Sequence, residues 1–193
     1  MTDNSHRLTR RAFVSGLALL ALAPTALASD HPSLDAMRQV AKDMLQANRL
    51  GTAASFRRVI MRHADVTGIG NYSLGQYQSK LAKGQRGPYY GGVATFMSRY
   101  FADQSREYRV AKYELGEATA GEDKTVKISS KVFMLSGQTY TVLWTLAWIG
   151  GRYRVTDAKV LGFSLVYLQR GIFTSYISKR KGDVNQLVAA LNR

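Results

Sequence analysis

One stretch constrains the fold more than any other: Asp157-Ala-Lys-Val-Leu-Gly-Phe-Ser-Leu-Val-Tyr-Leu-Gln-Arg-Gly-Ile-Phe173. It runs out of a β-strand, turns through Gly162 and enters an amphipathic helix at Ser164. A serine oxygen at that point accepts from an amide of the first helical turn, so Ser164 reads as an N-cap. Gly-x-Ser-x-Gly, the pattern of a serine nucleophile on a strand-to-helix turn, is not met, because Val166 stands where the closing glycine belongs. The chain must therefore pass from a sheet straight into a packed helix near its C-terminal end.

Upstream of that junction the apolar residues recur every second position. Tyr108, Val110 and Lys112 alternate with Arg109, Ala111 and Tyr113, and Gly116 interrupts the strand. Val126, Ile128, Ser130, Val132 and Met134 line one face of the next. Ser136-Gly137 is a hairpin turn, and Tyr140, Val142, Trp144, Leu146 and Trp148 share a face of the most apolar strand. Gly150-Gly151 leads into a strand over 152–160. Four strands joined by short turns make an antiparallel meander.

The flanks carry helical periods instead. Leu34, Met37, Val40, Ala41, Met44 and Leu45 predict a helix from Pro32 to Leu50, stopped by Gly51. A second is expected from Ala53 to His63, a loop over 65–71, short helical turns over 73–81, a break at 83–88 and a helix from Tyr89 to Ser105. After the sheet, a helix from Leu165 to about Arg180 stops at Gly182, and Asp183 caps a last short helix. The expected fold is α+β: a twisted antiparallel four-stranded sheet wrapped by N- and C-terminal helices. Such layers either fill the space between them or leave an apolar cavity there.

The N-terminus addresses the compartment. Thr9-Arg10-Arg11-Ala12-Phe13-Val14 resembles a twin-arginine export motif. An apolar run to Ala23, Pro24 and the small-residue site Ala26-Leu27-Ala28 follow. Residues 1–28 thus read as a signal peptide, the apolar run being about half the ~20 residues needed to span a bilayer. Residues 29–193 read as one domain with a helical annex, placed in the periplasm. The net charge of +14 falls to +12 without Arg7, Arg10, Arg11 and Asp3 of the signal. That charge favours anionic partners, and a periplasmic location selects lipid headgroups or acidic proteins over nucleic acid. There is no cysteine, which removes disulfides, thiolate metal sites and a cysteine nucleophile. His6, His31 and His63 are too scattered for a histidine-rich metal site.

Three elements resemble the MlaC-type periplasmic phospholipid-binding proteins, the toluene-tolerance or ABC-transporter auxiliary family. Ser73-Leu74-Gly75-Gln76-Tyr77 and the helix after it are similar to one family element. Gly151-Arg152-Tyr153-Arg154-Val155-Thr156-Asp157, behind a long apolar strand, is similar to its last hairpin. Gly162-Phe163-Ser164-Leu165, then Arg170, Phe173 and Gly182-Asp183, form the third match. The resemblance implies a lipid-binding domain that sequesters phospholipid acyl chains. It implies shuttling between an outer-membrane lipoprotein complex and an inner-membrane ABC transporter with its substrate-receiving subunit. Phe163 stands in place of the commoner valine and Gly171 in place of a polar residue. Related chains carry other apolar lipids, hopanoids among them.

On this reading Tyr140, Val142, Trp144, Leu146, Phe163 and Phe173 are candidate walls of a lipid pocket, core being the plain alternative. Arg170 either faces a lipid phosphate or bridges to a carboxylate such as Asp157. Arg57, Arg58, Arg62, Lys179, Arg180 and Lys181 are a candidate docking surface or a solvated charged face. No metal, catalytic residue or cofactor other than bound lipid is expected. Two other classes compete: an envelope adaptor holding no ligand, and an enzyme on a cone-shaped α+β fold of the nuclear-transport-factor type. The enzyme needs an Asp or His inside its pocket, and no histidine falls in the sheet.

Overall fold

The structure, a computed structural model, describes residues 31–193. The expected export signal and its paired arginines lie outside the described residues. Six α-helices and five strands follow in the order α1 (Pro32–Leu50), α2 (Ala53–His63), α3 (Val66–Leu74), α4 (Arg86–Glu107), β1 (Val110–Ala120), β2 (Val126–Met134), β3 (Thr139–Ile149), β4 (Arg152–Val160), β5 (Phe163–Ser164), α5 (Leu165–Ser178) and α6 (Val184–Leu191). The sheet is an antiparallel meander in the order β1-β2-β3-β4-β5.

The expected α+β fold is present, with one strand more than the four anticipated. Leu161 and Gly162 both take left-handed backbone angles, φ 51° and 84°. A two-residue turn of that kind matches the twist of a hairpin. It folds Phe163 and Ser164 back on Val160 and Lys159. Ser164 then accepts from the Tyr167 amide at 3.0 Å and starts α5 in its capping role.

Two further expectations change. The segment 65–71 is not a loop: Asp65 caps α3 by accepting from the Gly68 amide at 3.0 Å. Gly70 lies within α3 because α4 presses against it. A Cβ there would sit 3.1 Å from Tyr90 Cδ1, and the Tyr89 hydroxyl donates to the Gly70 carbonyl at 2.8 Å. Nor do Gly87 and Pro88 break the chain. They occupy the first turn of α4, where proline's missing amide has no partner to lose. At the end of α5, Lys181 rather than Gly182 first leaves the right-handed region, with φ 56°. Its amide donates to Ser178 and that of Gly182 to Ile177, closing the helix end.

Two cores hold the layers. One lies among the helices and includes Phe56, Leu74, Tyr89, Val93, Phe173, Ile177 and Leu187. The other seats α1 on the sheet through Met37, Val40, Ala41, Ile128 and Leu146. The link between α2 and α3 is stitched to the sheet. Ala64 pairs with Val155, the Asp65 amide donates to the Val155 carbonyl at 2.9 Å, and Arg154 Nη1 donates to the Ala64 carbonyl at 3.1 Å.

Candidate functional site: an apolar cavity between sheet and helices

The concave face of the sheet is not fully covered. Past the core that holds Met37 and Leu146, α1, α4 and α5 stand over the strands with two adjoining lobes between them. The first has a volume of about 380 Å³ and reaches from α1 and the end of α4 across β1 to β4, over Val132, Tyr140 and Val142. The second, about 350 Å³, runs under α2, α4 and α5 past Ile60, Ile69, Phe96 and Ile172. Met44, Tyr100, Phe101, Trp144, Ala158 and Leu165 line both lobes, so these residues mark where they join. Trp144 is fixed at that junction by donating from Nε1 to Ser130 Oγ at 2.9 Å.

The walls are aliphatic and aromatic with few polar atoms. In the first lobe Asn48 spends its amide on the chain itself, donating to the Tyr108 carbonyl and accepting from the Val110 amide, both at 3.0 Å. Tyr108 and Tyr140 meet edge to face at 6.2 Å. In the second lobe, apart from Tyr100 and Trp144 at the junction, the polar residues are His63, Asp157 and Gln169. His63 Nε2 lies 2.7 Å from Asp43 Oδ2, with both side chains largely covered. Burial alone would raise the Asp43 pKa. The hydrogen bonds from His63 and Gln39 and the charges of His63 and Arg62 outweigh it and hold the carboxyl below its ordinary value.

Five large apolar side chains stand exposed around β5 and the outer face of α5: Leu161, Phe163, Tyr167, Leu168 and Ile172. Leu161, Leu168 and Ile172 also line the lobes, so this face borders the cavity.

The six pocket-wall candidates separate. Tyr140, Val142 and Trp144 line the cavity. Leu146 does not: it is fully buried under α1. Phe173 is packed in the helical core, edge-on to Phe96 at 5.1 Å and to Tyr89 at 6.5 Å. Phe163 is 66% exposed on β5 and lines neither lobe. Arg170 forms no bridge to Asp157. Its guanidinium lies 4.9 Å from the centre of the Tyr72 ring, against Gly75, while Asp157 Oδ1 accepts from the Val166 amide at 3.3 Å.

The basic residues do not form one face. Arg57 ties α2 to α4 by donating to the Gly91 carbonyl and Thr95 Oγ1 at 3.1 and 3.2 Å. Arg62 lies 3.5 Å from Asp43, and Arg180 stacks on Tyr176 at 3.4 Å. Arg58, Lys179 and Lys181 are exposed. Sequence reasoning passed over the helical half of the wall. Met44 reads as an ordinary core-facing helix residue, and the i, i+3, i+4 spacing of Met97, Tyr100 and Phe101 is the signal that sets these three on one face.

A family model described as MlaC protein matches residues 33–193. No curated protein matches the chain. Among solved structures, the chain is similar to the phospholipid-binding protein from Ralstonia solanacearum, solved in complex with a phospholipid. The TM-score is 0.67 at 19% identity, covering 85% of this chain and 96% of that one.

Proposed function

This chain belongs to the MlaC protein family, and from that premise we propose that it is a lipid carrier whose two confluent lobes hold the acyl chains of a phospholipid. The cavity carries the reading: two apolar lobes of about 380 and 350 Å³ meet at Trp144 and border an exposed apolar face. Each CH₂ moved from water into such a wall gains roughly 0.8 kcal/mol. Two acyl chains therefore offset the cost of extracting the lipid from a bilayer, and no covalent chemistry is needed. The bound phospholipid of the Ralstonia protein, which shares the fold, supports the same assignment.

The carrier works in the periplasm, exported by the signal over residues 1–28, and passes lipid between an outer-membrane lipoprotein complex and an inner-membrane ABC transporter. Family membership supports that route. Of the six candidates, Arg58, Lys179 and Lys181 are the exposed cations left for docking on acidic partners, because Arg57, Arg62 and Arg180 are engaged within the chain. It is not an enzyme on this reading, and Ser164 serves as a helix cap.

Native mass spectrometry of the protein purified from its own periplasm, followed by organic extraction, tests the proposal. One diacyl phospholipid per chain is expected. A polycyclic lipid in its place keeps the carrier and changes the cargo. A lipid-free protein that also takes up nothing from phospholipid vesicles overturns it.

A further inference from the structure

Besides the Tyr100 hydroxyl and the Trp144 indole, which is taken by Ser130, the second lobe is lined by three polar residues, and the groups these three leave unpaired are hydrogen-bond acceptors. Gln169 is 6% exposed. Its Nε2 lies 2.8 Å from Ser73 Oγ, and that hydroxyl donates to the Ile69 carbonyl at 2.7 Å. Ser73 Oγ can then only accept, which fixes the amide orientation: Nε2 faces Ser73 and Oε1 is left without a partner among the described residues. No fully buried side-chain nitrogen or oxygen among the described residues lacks a partner. Oε1 must therefore open onto free space, and the free space beside Gln169 is the second lobe.

His63 lines the same lobe. Its Nε2 faces the Asp43 carboxylate at 2.7 Å, so in the neutral ring Nε2 carries the hydrogen and Nδ1 is an acceptor with no partner. The Asp157 carboxylate takes one amide, that of Val166, through Oδ1, and its other oxygen is unpaired. The three residues sit at one junction of the fold. Ala64, next to His63, bridges to Val155, two residues before Asp157. Val166, held by Asp157, lies one helical turn before Gln169 on α5.

We infer that the second lobe binds a lipid through a hydroxyl group, whose single hydrogen bond is donated to one of the acceptors carried by Gln169, His63 and Asp157. This rests on the carrier reading and names its cargo more closely. A phosphate offers only further acceptors and is repelled from this lobe. An ammonium group could pair with the Asp157 carboxylate, but only by taking both charges out of water at a large desolvation cost. A hydroxyl supplies the missing donor, and buried acceptors left unpaired discriminate against a ligand that lacks one.

The test is a paired uptake experiment at pH 8. The protein is incubated with phosphatidylcholine vesicles containing equal amounts of 1-hexadecanol and hexadecyl methyl ether, re-isolated, and its lipids counted by mass spectrometry. The ether keeps the chain and the oxygen and loses only the donor. The alcohol is expected about tenfold enriched over the ether relative to the vesicles, a size set by one hydrogen bond. Gln169→Met should bring the ratio near that of the vesicles. If circular dichroism shows that variant unfolded, Asp157→Asn, which keeps the acceptor for Val166 and replaces the free oxygen by a donor, should lower the ratio instead. Equal uptake of alcohol and ether by the unaltered protein overturns the inference, as does uptake of phosphatidylcholine with neither probe; the carrier reading survives both. Failure to take up phosphatidylcholine as well sinks the carrier reading and this inference with it.

Discussion

Trp144 on β3 donates from its indole Nε1 to Ser130 Oγ on β2 at 2.9 Å, and this bond holds the ring where the two lobes join. The partners are offset neighbours across the ladder, Trp144 lying opposite Ile128 and Ser130 opposite Val142. Ser130 is nearly fully buried, and its hydroxyl is the partner of the indole within the chain. Ser130→Ala should therefore cost about 1 kcal/mol in urea unfolding. It should also shift the tryptophan emission of the lipid-free protein, while Trp148, exposed at the end of β3, supplies a constant background.

Ala158 lines both lobes at their junction. Ala158→Phe places a ring in open space rather than in packed core. The expected outcome is a loss of lipid uptake from vesicles with a change in unfolding free energy under about 1.5 kcal/mol. A variant that stays loaded would place the acyl chains elsewhere.

Leu146 and Phe173 are predicted to behave in the opposite way. Both are buried in filled core, so Leu146→Ala should cost about 2–5 and Phe173→Ala about 3–5 kcal/mol. Any lipid loss in these variants should track the fraction unfolded, measured by circular dichroism on the same samples.

Asp43 sets an acid limit on the join between α1 and α2. Its carboxyl is held below the ordinary value of 3.8 in the folded chain. A depressed folded pKa contributes stability that is complete above the unfolded value and is lost as pH falls through the folded one. Urea midpoints should thus hold down to about pH 4 and fall below it. Asp43→Asn should lower the plateau and flatten that acid slope.

Gly92 is where α6 touches α4. A Cβ there would lie 2.6 Å from Leu191 Cβ, so Gly92→Ala should destabilise by about 1–3 kcal/mol despite the better helix propensity of alanine. Thermal melts of Gly92→Ala, Leu191→Gly, which removes the facing Cβ, and the double variant check it. The double variant should be more stable than the sum of the two single losses allows.

Local pattern made most of the elements legible. The alternation along 126–134 and 140–148 and the helical period along 32–50 are properties of consecutive residues, and the structure places elements over all three ranges. Misreadings fell where a distant element decides local shape. Gly68 and Gly70 suggest a loop until Tyr89 and Tyr90 are seen packing on α3, and Gly87-Pro88 suggest a break until they prove to be a first helical turn.

The sequence by itself determined that residues 108–160 build a meander, that the chain then enters a helix capped by Ser164, and that Val142, Trp144 and Leu146 share one face of β3. It could not tell wall from core among them, because a period of two assigns a face and says nothing of what lies above it. Only the tertiary structure decided that α1 descends on Leu146 through Met37, Val40 and Ala41 and leaves Trp144 partly uncovered, so that one face of one strand is filled core at one end and open cavity wall at the other.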